Sequence, residues 1–265
     1  MITVMQWVAL GLGVACAAWR LPAAIRGRNA SLFWAFLLIA IAVGLSLPAI
    51  YLPVDGLLGG RNFANLILRF ALYAIFFILA SKIAAAYRSP RAERLIRGPI
   101  GISVLLVICV GTVVPFLLSD LPVSSTGLAK YLDQAPVGFY IAAGRLYPAY
   151  AAACLIVPTA IATRSSHLRL ERVAAACICA AFSMVVLMTV VQLAFFHGYG
   201  PTPLLTIINL LSYGAIICLT VGLGLVWLSI RSQARKTRNS GLANLAAPTT
   251  AQVSRRHAGE IDDTP

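Results

Sequence analysis

The sequence predicts an all-α fold, a polytopic transmembrane bundle of seven helices with its N-terminus outside and its C-terminus in the cytoplasm. Three observations predict it. The 265 residues are 60% hydrophobic and 11% charged, with a mean hydropathy of +0.88, whereas a soluble domain carries roughly 25% charged residues. Continuous apolar runs fill residues 1–230, each close to the about 20 residues that a helix needs to cross hydrocarbon. Basic residues collect in every second gap between those runs.

The expected spans are Ile2–Trp19, Ser31–Leu52, Phe63–Tyr87, Pro99–Ser119, Val137–Thr163, Val173–Phe196 and Pro203–Ile230. Hydrocarbon offers no partner for a backbone amide, so each run must pair its own amides as a helix. The runs are continuous rather than alternating, which excludes a β-barrel. The first run has no basic stretch before it and no small-residue cleavage site, so it reads as a retained helix rather than a signal peptide. Trp7, Trp19, Trp34 and Trp227 fall near span ends, where indole rings anchor at the interface.

Orientation follows from lysine and arginine in short loops. The first gap holds Arg20, Arg26 and Arg28, the third Arg88, Arg91, Arg94 and Arg97, and the fifth Arg164, Arg169 and Arg172. The tail adds Arg231, Arg235, Lys236, Arg238, Arg255 and Arg256. The intervening gaps hold only Arg61 and Lys130. Topology therefore accounts for most of the net charge of +13 without a nucleic-acid partner. Anionic lipids of the inner leaflet are the expected partner of that face, at about 1 kcal/mol per basic residue near the surface. Residues 231–265 lose all apolar periodicity and run from basic to acidic, so they read as a disordered cytoplasmic tail beside a single membrane domain, 1–230.

Templates for catalysis and cofactors are missing from the sequence. The six cysteines, Cys16, Cys109, Cys154, Cys177, Cys179 and Cys218, lie inside apolar runs and read as small hydrophobes. Cys177 and Cys179 point roughly 200° apart on a helix and cannot share a metal. The three histidines lie in gaps or the tail, and no carboxylate falls in mid-membrane. The expectation is a protein that is not an enzyme and holds no cofactor or metal. No inverted repeat is visible around Pro48…Asp55 and Pro115…Asp120, whose spacings differ.

Two charges remain that the membrane does not explain. Arg69 lies in the third span and Arg145 in the fifth, at similar depth from the outer side. A charge within a span is expensive and by default marks function. Asn62, Asn65, Arg69 and Tyr73 follow spacings of three and four and share one helix face. Tyr140, Tyr147 and Tyr150 surround Arg145 in sequence, Gln192 stands near the outer end of the sixth span, and Thr206, Asn209, Tyr213 and Thr220 form a face of the seventh. If these faces converge, Arg69, Arg145, Tyr73, Gln192, Asn209 and Tyr213 line a pocket for a small anionic solute. The competing reading is that the arginines snorkel to headgroups, or pair with Asp55, Asp120 or Asp133, while the amides and hydroxyls serve as interhelical hydrogen bonds. Lys82, one turn from the inner end of its span, reads as snorkelling. Pro48, Pro115, Pro148 and Pro158 are expected to shape the helices that carry them.

The stretch Pro48-Ala-Ile-Tyr51-Leu-Pro-Val-Asp55-Gly-Leu-Leu-Gly59-Gly-Arg-Asn62-Phe-Ala-Asn-Leu66, with Trp19-Arg-Leu-Pro22 before it, resembles a group of actinobacterial seven-helix integral membrane proteins of unknown function, often labelled transporters. The resemblance covers about 50 residues beside the helix count. It implies a multi-pass protein of the bacterial plasma membrane that binds or moves a small solute. Many members carry a cytosolic domain after the last span, where this chain has a short tail. A seven-helix sensor or partner-binding scaffold without transport is the other reading.

Overall fold

A computed structural model describes residues 2–27, 30–166 and 168–194, together with short stretches between 207 and 232. The described elements are helices: α1 (Ile2–Ile25), α2 (Ala30–Gly44), α3 (Pro48–Leu57), α4 (Phe63–Ala86), α5 (Pro90–Arg97), α6 (Pro99–Leu118), a 3-10 turn (Thr126–Tyr131), α7 (Ala135–Ser165) and α8 (Arg169–Ala194). Five of them are long and apolar enough to cross a bilayer: α1, α4, α6 with α5 ahead of it, α7 and α8. The bent pair α2 and α3 makes a sixth if it counts as one span. Large apolar side chains stay exposed along them, including Val107, Leu106 and Leu118 on α6 and Val157 and Ile161 on α7. Exposed apolar surface on this scale suits a lipid surround. The expected seventh span, Pro203–Ile230, lies partly outside the described residues, which are helical at 217–219 and 221–226.

The expected second span, Ser31–Leu52, is not one straight rod. It stops at Gly44, and α3 leaves at 95° to it. Leu47 takes an extended conformation as N-cap, and Pro48 opens α3, where a missing N–H costs nothing and the fixed φ is helical already. Gly59 and Gly60 then take positive φ, which a side chain rarely permits. The chain can thereby reverse into α4.

The third gap also differs from a simple loop. Ser89 accepts a hydrogen bond from the Ala92 amide, and Pro90 starts a two-turn helix. Ala92 and Ile96 are buried on one side of α5, while Arg94 and Arg97 lie in its last turn. This is an amphipathic helix lying against the ends of α4, α6 and α7.

The packing order is α1 on α2, α2 on α4, α4 on α7 and α7 on α8, with α6 against α7 and, less extensively, α4. The bundle therefore has two ends. The α3 end carries α3, the 3-10 turn and the starts of α4 and α7; the α5 end carries α5, the close of α7 and the start of α8. Toward the α5 end the core is tightly apolar, built from Ala80, Ala84, Ala151, Ala152, Leu155, Ile178 and Phe182. Its many alanines let backbones approach closely, as membrane helices do. The described cysteines are all free thiols, each half-buried.

Candidate functional site

Among the described residues, buried polar side chains gather in two places toward the α3 end. The first is a closed hub. Asp55 is fully buried; its carboxylate accepts the backbone N–H of Asn62 at 2.9 Å and of Ala64 at 3.0 Å, and the hydroxyl of Ser124. Asn62 sits at φ 63°, a left-handed conformation that asparagine tolerates better than most residues. That turn aims its side chain back at three partners. Its Oδ1 accepts from Tyr51 Oη at 2.9 Å and the Ser125 N–H at 2.6 Å, and its Nδ2 donates to the Val123 carbonyl at 2.9 Å. The hub thus ties α3, the start of α4 and the loop before the 3-10 turn.

The second place is a column between α4 and α7. Asn65 Oδ1 accepts from Tyr140 Oη at 2.8 Å. One turn further along α4, Arg69 lays its guanidinium over the Tyr140 ring, with Cζ 5.4 Å from the ring centroid. The guanidinium also covers Gly144: a Cβ at that position would meet Arg69 Cζ at 2.8 Å. Another turn along, Tyr73 Oη lies 2.8 Å from Thr112 Oγ1 of α6 and 3.4 Å from the Ala143 carbonyl. Its ring meets Tyr147 edge-on at 5.8 Å. Asn65, Arg69 and Tyr73 do share one face, as their spacing predicts, and that face turns toward α7. Asn62, the fourth member of the stripe, belongs to the hub instead.

Arg145 follows Gly144 directly and is half-buried. A helix turns about 100° per residue, so Arg145 leaves α7 in a different direction from the surface that Arg69 covers. Both arginines sit in the first half of their helices, toward the α3 end of the bundle. Pro148 has no N–H to give to the carbonyl of Gly144, four residues earlier, so the helix wall facing Arg69 also carries an acceptor without its usual partner. α7 nevertheless runs through Pro148 and Pro158 as one helix.

The column is open where the hub is closed. Arg69 Nε, Tyr147 Oη and Gln192 Oε1 are buried with no hydrogen-bond partner. Among the described residues the only ion pair joins Arg97 and Glu93 at 3.6 Å on α5. Asp55 is committed to the hub, so it does not neutralise Arg69 or Arg145, and Asp120 and Asp133 form no ion pair with them either. Gln192 lies on α8, which returns antiparallel along α7. At about equal rise per residue from the turn near residue 167, it comes level with about residue 142. Asn209 and Tyr213, expected to complete the lining, lie outside the described residues.

Two contributors were not singled out from the sequence. Thr112 is a lone hydroxyl in an apolar span, and Gly144 ends the small run Ala142-Ala143-Gly144 just before Arg145. A run of small residues opposite an intramembrane arginine is the signal that would have found the second. Among the described residues no group of three His, Cys, Asp or Glu side chains has the arrangement to hold a metal. Comparison of the chain with protein-family models, curated proteins and solved structures finds no match.

Proposed function

We propose that this chain is a seven-span protein of the bacterial plasma membrane, N-terminus outside, that binds a small anionic solute at Arg69 and Arg145. One observation carries the reading: Arg69 is held over Tyr140 and against Gly144 with its Nε buried and unpartnered, and no carboxylate pairs with it or with Arg145 among the described residues. The stacking of Arg69 on Tyr140 contributes about 0.5–2 kcal/mol. Withdrawing an ion from water costs several kcal/mol, so the ring alone does not offset it. A carboxylate, sulfate or phosphate accepting from the fork of Arg69 would supply the rest. Gln192, with its Oε1 buried and unpartnered, adds an amide at the same level. Asn209 and Tyr213 are the proposed lining from the last span.

Binding without passage is the second reading, favoured by the apolar core of Ala80, Ala84, Ala151, Leu155 and Phe182. It lies between the arginine level and the α5 end, where a transport path would need polar groups. The chain would then act as a sensor.

Reconstituted protein should be warmed with phosphate, sulfate, acetate and succinate in turn, and proteoliposomes tested for flux of the same solutes. A melting shift without flux supports the sensor, and a shift with flux the transporter. No shift with any probe would overturn the anion site. For topology, single cysteines replacing Lys130 and Ser232 should label from outside and inside respectively, and the reverse pattern would invert the orientation.

A further inference from the structure

A cavity of about 410 Å³ opens at the α5 end, between the close of α4, the start of α8 and the last described helical stretch. Its volume falls within the range of about 300–1,000 Å³ typical of ligand sites. The lining is graded along the helix axes. Arg88, Ser166 and Glu171 stand at the mouth, each beyond or near a helix end, with the buried Ser229 beside Glu171. One or two turns deeper on the same helices come Ile83, Ile178, Leu223 and Val226. Arg88, just past the end of α4, is exposed and forms no ion pair with a described residue. Arg172, exposed on the first turn of α8, donates to the carbonyl of the lining residue Ser166 at 3.1 Å, which brings a second guanidinium beside the cavity. Glu171 is engaged by the Ser229 hydroxyl at 3.0 Å.

A free soluble anion would use the rim and leave the apolar depth empty. A buried apolar segment would fill the depth and leave two guanidiniums at the rim. The molecule that uses both is an amphiphile with a phosphate at one end and a hydrocarbon chain running parallel to the helices. We propose that this cavity is a phospholipid site, with the lipid phosphate at Arg88 and Arg172 and an acyl chain along Ile83, Ile178 and Val226. Arginine is suited to this contact because its planar fork matches phosphate oxygens. The inference rests on the membrane reading but not on the anion site at Arg69.

The test is lipid retention by the full chain. Protein extracted in mild detergent is washed, then titrated with phosphatidylglycerol, phosphatidylcholine or inorganic phosphate, and bound species are weighed by native mass spectrometry. The wild type should keep one phospholipid. Arg88→Gln should weaken its binding about tenfold. Ala86→Trp, which places a ring in the cavity from an exposed position on its wall, should abolish it. Arg69→Gln should leave it unchanged, which separates this site from the anion site. Equal retention of phosphatidylcholine and phosphatidylglycerol assigns the contact to the shared phosphate and supports the proposal, as does a preference for phosphatidylglycerol. Retention untouched by both cavity variants would overturn it, as would displacement by millimolar inorganic phosphate or no retained lipid. A helical circular-dichroism spectrum and a single gel-filtration peak show that each variant is folded; if Ala86→Trp fails, Leu223→Phe replaces it.

Discussion

The Asp55 hub and the Arg69 column lie at the same end of one bundle and treat a buried charge in opposite ways. Asp55 is surrounded by donors: two backbone amides and a hydroxyl converge on its carboxylate, and the neighbouring Asn62 side chain has each of its polar atoms engaged. Arg69 is surrounded by a ring face, a glycine and an unpaired Nε. The first arrangement leaves nothing for a ligand to bind and fixes the chain path through α3. The second holds a charge in position and leaves its buried Nε donor unspent. A closed network reads as architecture, and an open one as a site.

If that contrast is right, substitutions in the two regions should separate stability from binding. The largest effect is expected for Asp55→Ala. It strands the Asn62 and Ala64 amides and the Ser124 hydroxyl, each at about 1–3 kcal/mol. Chemical denaturation should show a loss of at least about 3 kcal/mol, and a loss below about 1 kcal/mol would mean that the hub does not hold the fold.

Arg69→Gln should do the reverse. Stability should stay within about 1 kcal/mol, because no ion pair is broken. Anion affinity should fall about 10- to 100-fold, the equivalent of about 1.5–3 kcal/mol for a hydrogen bond to a charged group. A strongly destabilised variant would place Arg69 with Asp55 as architecture.

Gly144→Ala sharpens the same point without touching a charge. Its Cβ would fall 2.8 Å from the guanidinium carbon. The long arginine side chain can move aside, so the fold should survive while anion affinity drops several-fold in a binding titration. Unchanged affinity would show that the position of Arg69 over Gly144 is immaterial.

The smallest effects are expected from two tyrosines in contact. Tyr73→Phe removes the bond to Thr112 and should cost about 1 kcal/mol, whereas Tyr147→Phe removes a hydroxyl with no partner and should stay within about 0.5 kcal/mol. Thermal melts of the two variants side by side check the order. A larger loss at Tyr147 would mean that its hydroxyl meets a group of the bundle or a bound solute.

Much of the bundle is legible in single residues. Hydropathy places the ends of α4, α6, α7 and α8 within a few residues of the expected spans, because burial in lipid depends on local composition rather than on partners. The bend at Gly44 is not legible this way. Leu45-Ser46-Leu47 continues the apolar run, and Pro48 is compatible with a kinked span or with a new helix. α5 is masked by its own charge: its arginines read as loop charge, although Ser89 and Pro90 are a helix start. Within the column, the stripe Asn65, Arg69 and Tyr73 follows from helical spacing alone. That it meets Tyr140 and Gly144 depends on which helix packs against it, which no local pattern encodes. By sequence Asp55 reads as a loop acid or an ion-pair partner, because its actual partners are two backbone amides, which no sequence displays, and a serine hydroxyl 69 residues away.

On the proposed reading, Arg69 is held for an anion rather than for the fold. Isothermal titration of phosphate, sulfate and succinate into nanodisc-embedded wild type and Arg69→Gln tests it most directly. The wild type should bind at least one of these anions saturably, with binding weakened at least tenfold in a variant whose melting profile is unchanged. Binding of equal strength to both proteins, or no binding to the wild type by any of the three, would contradict it.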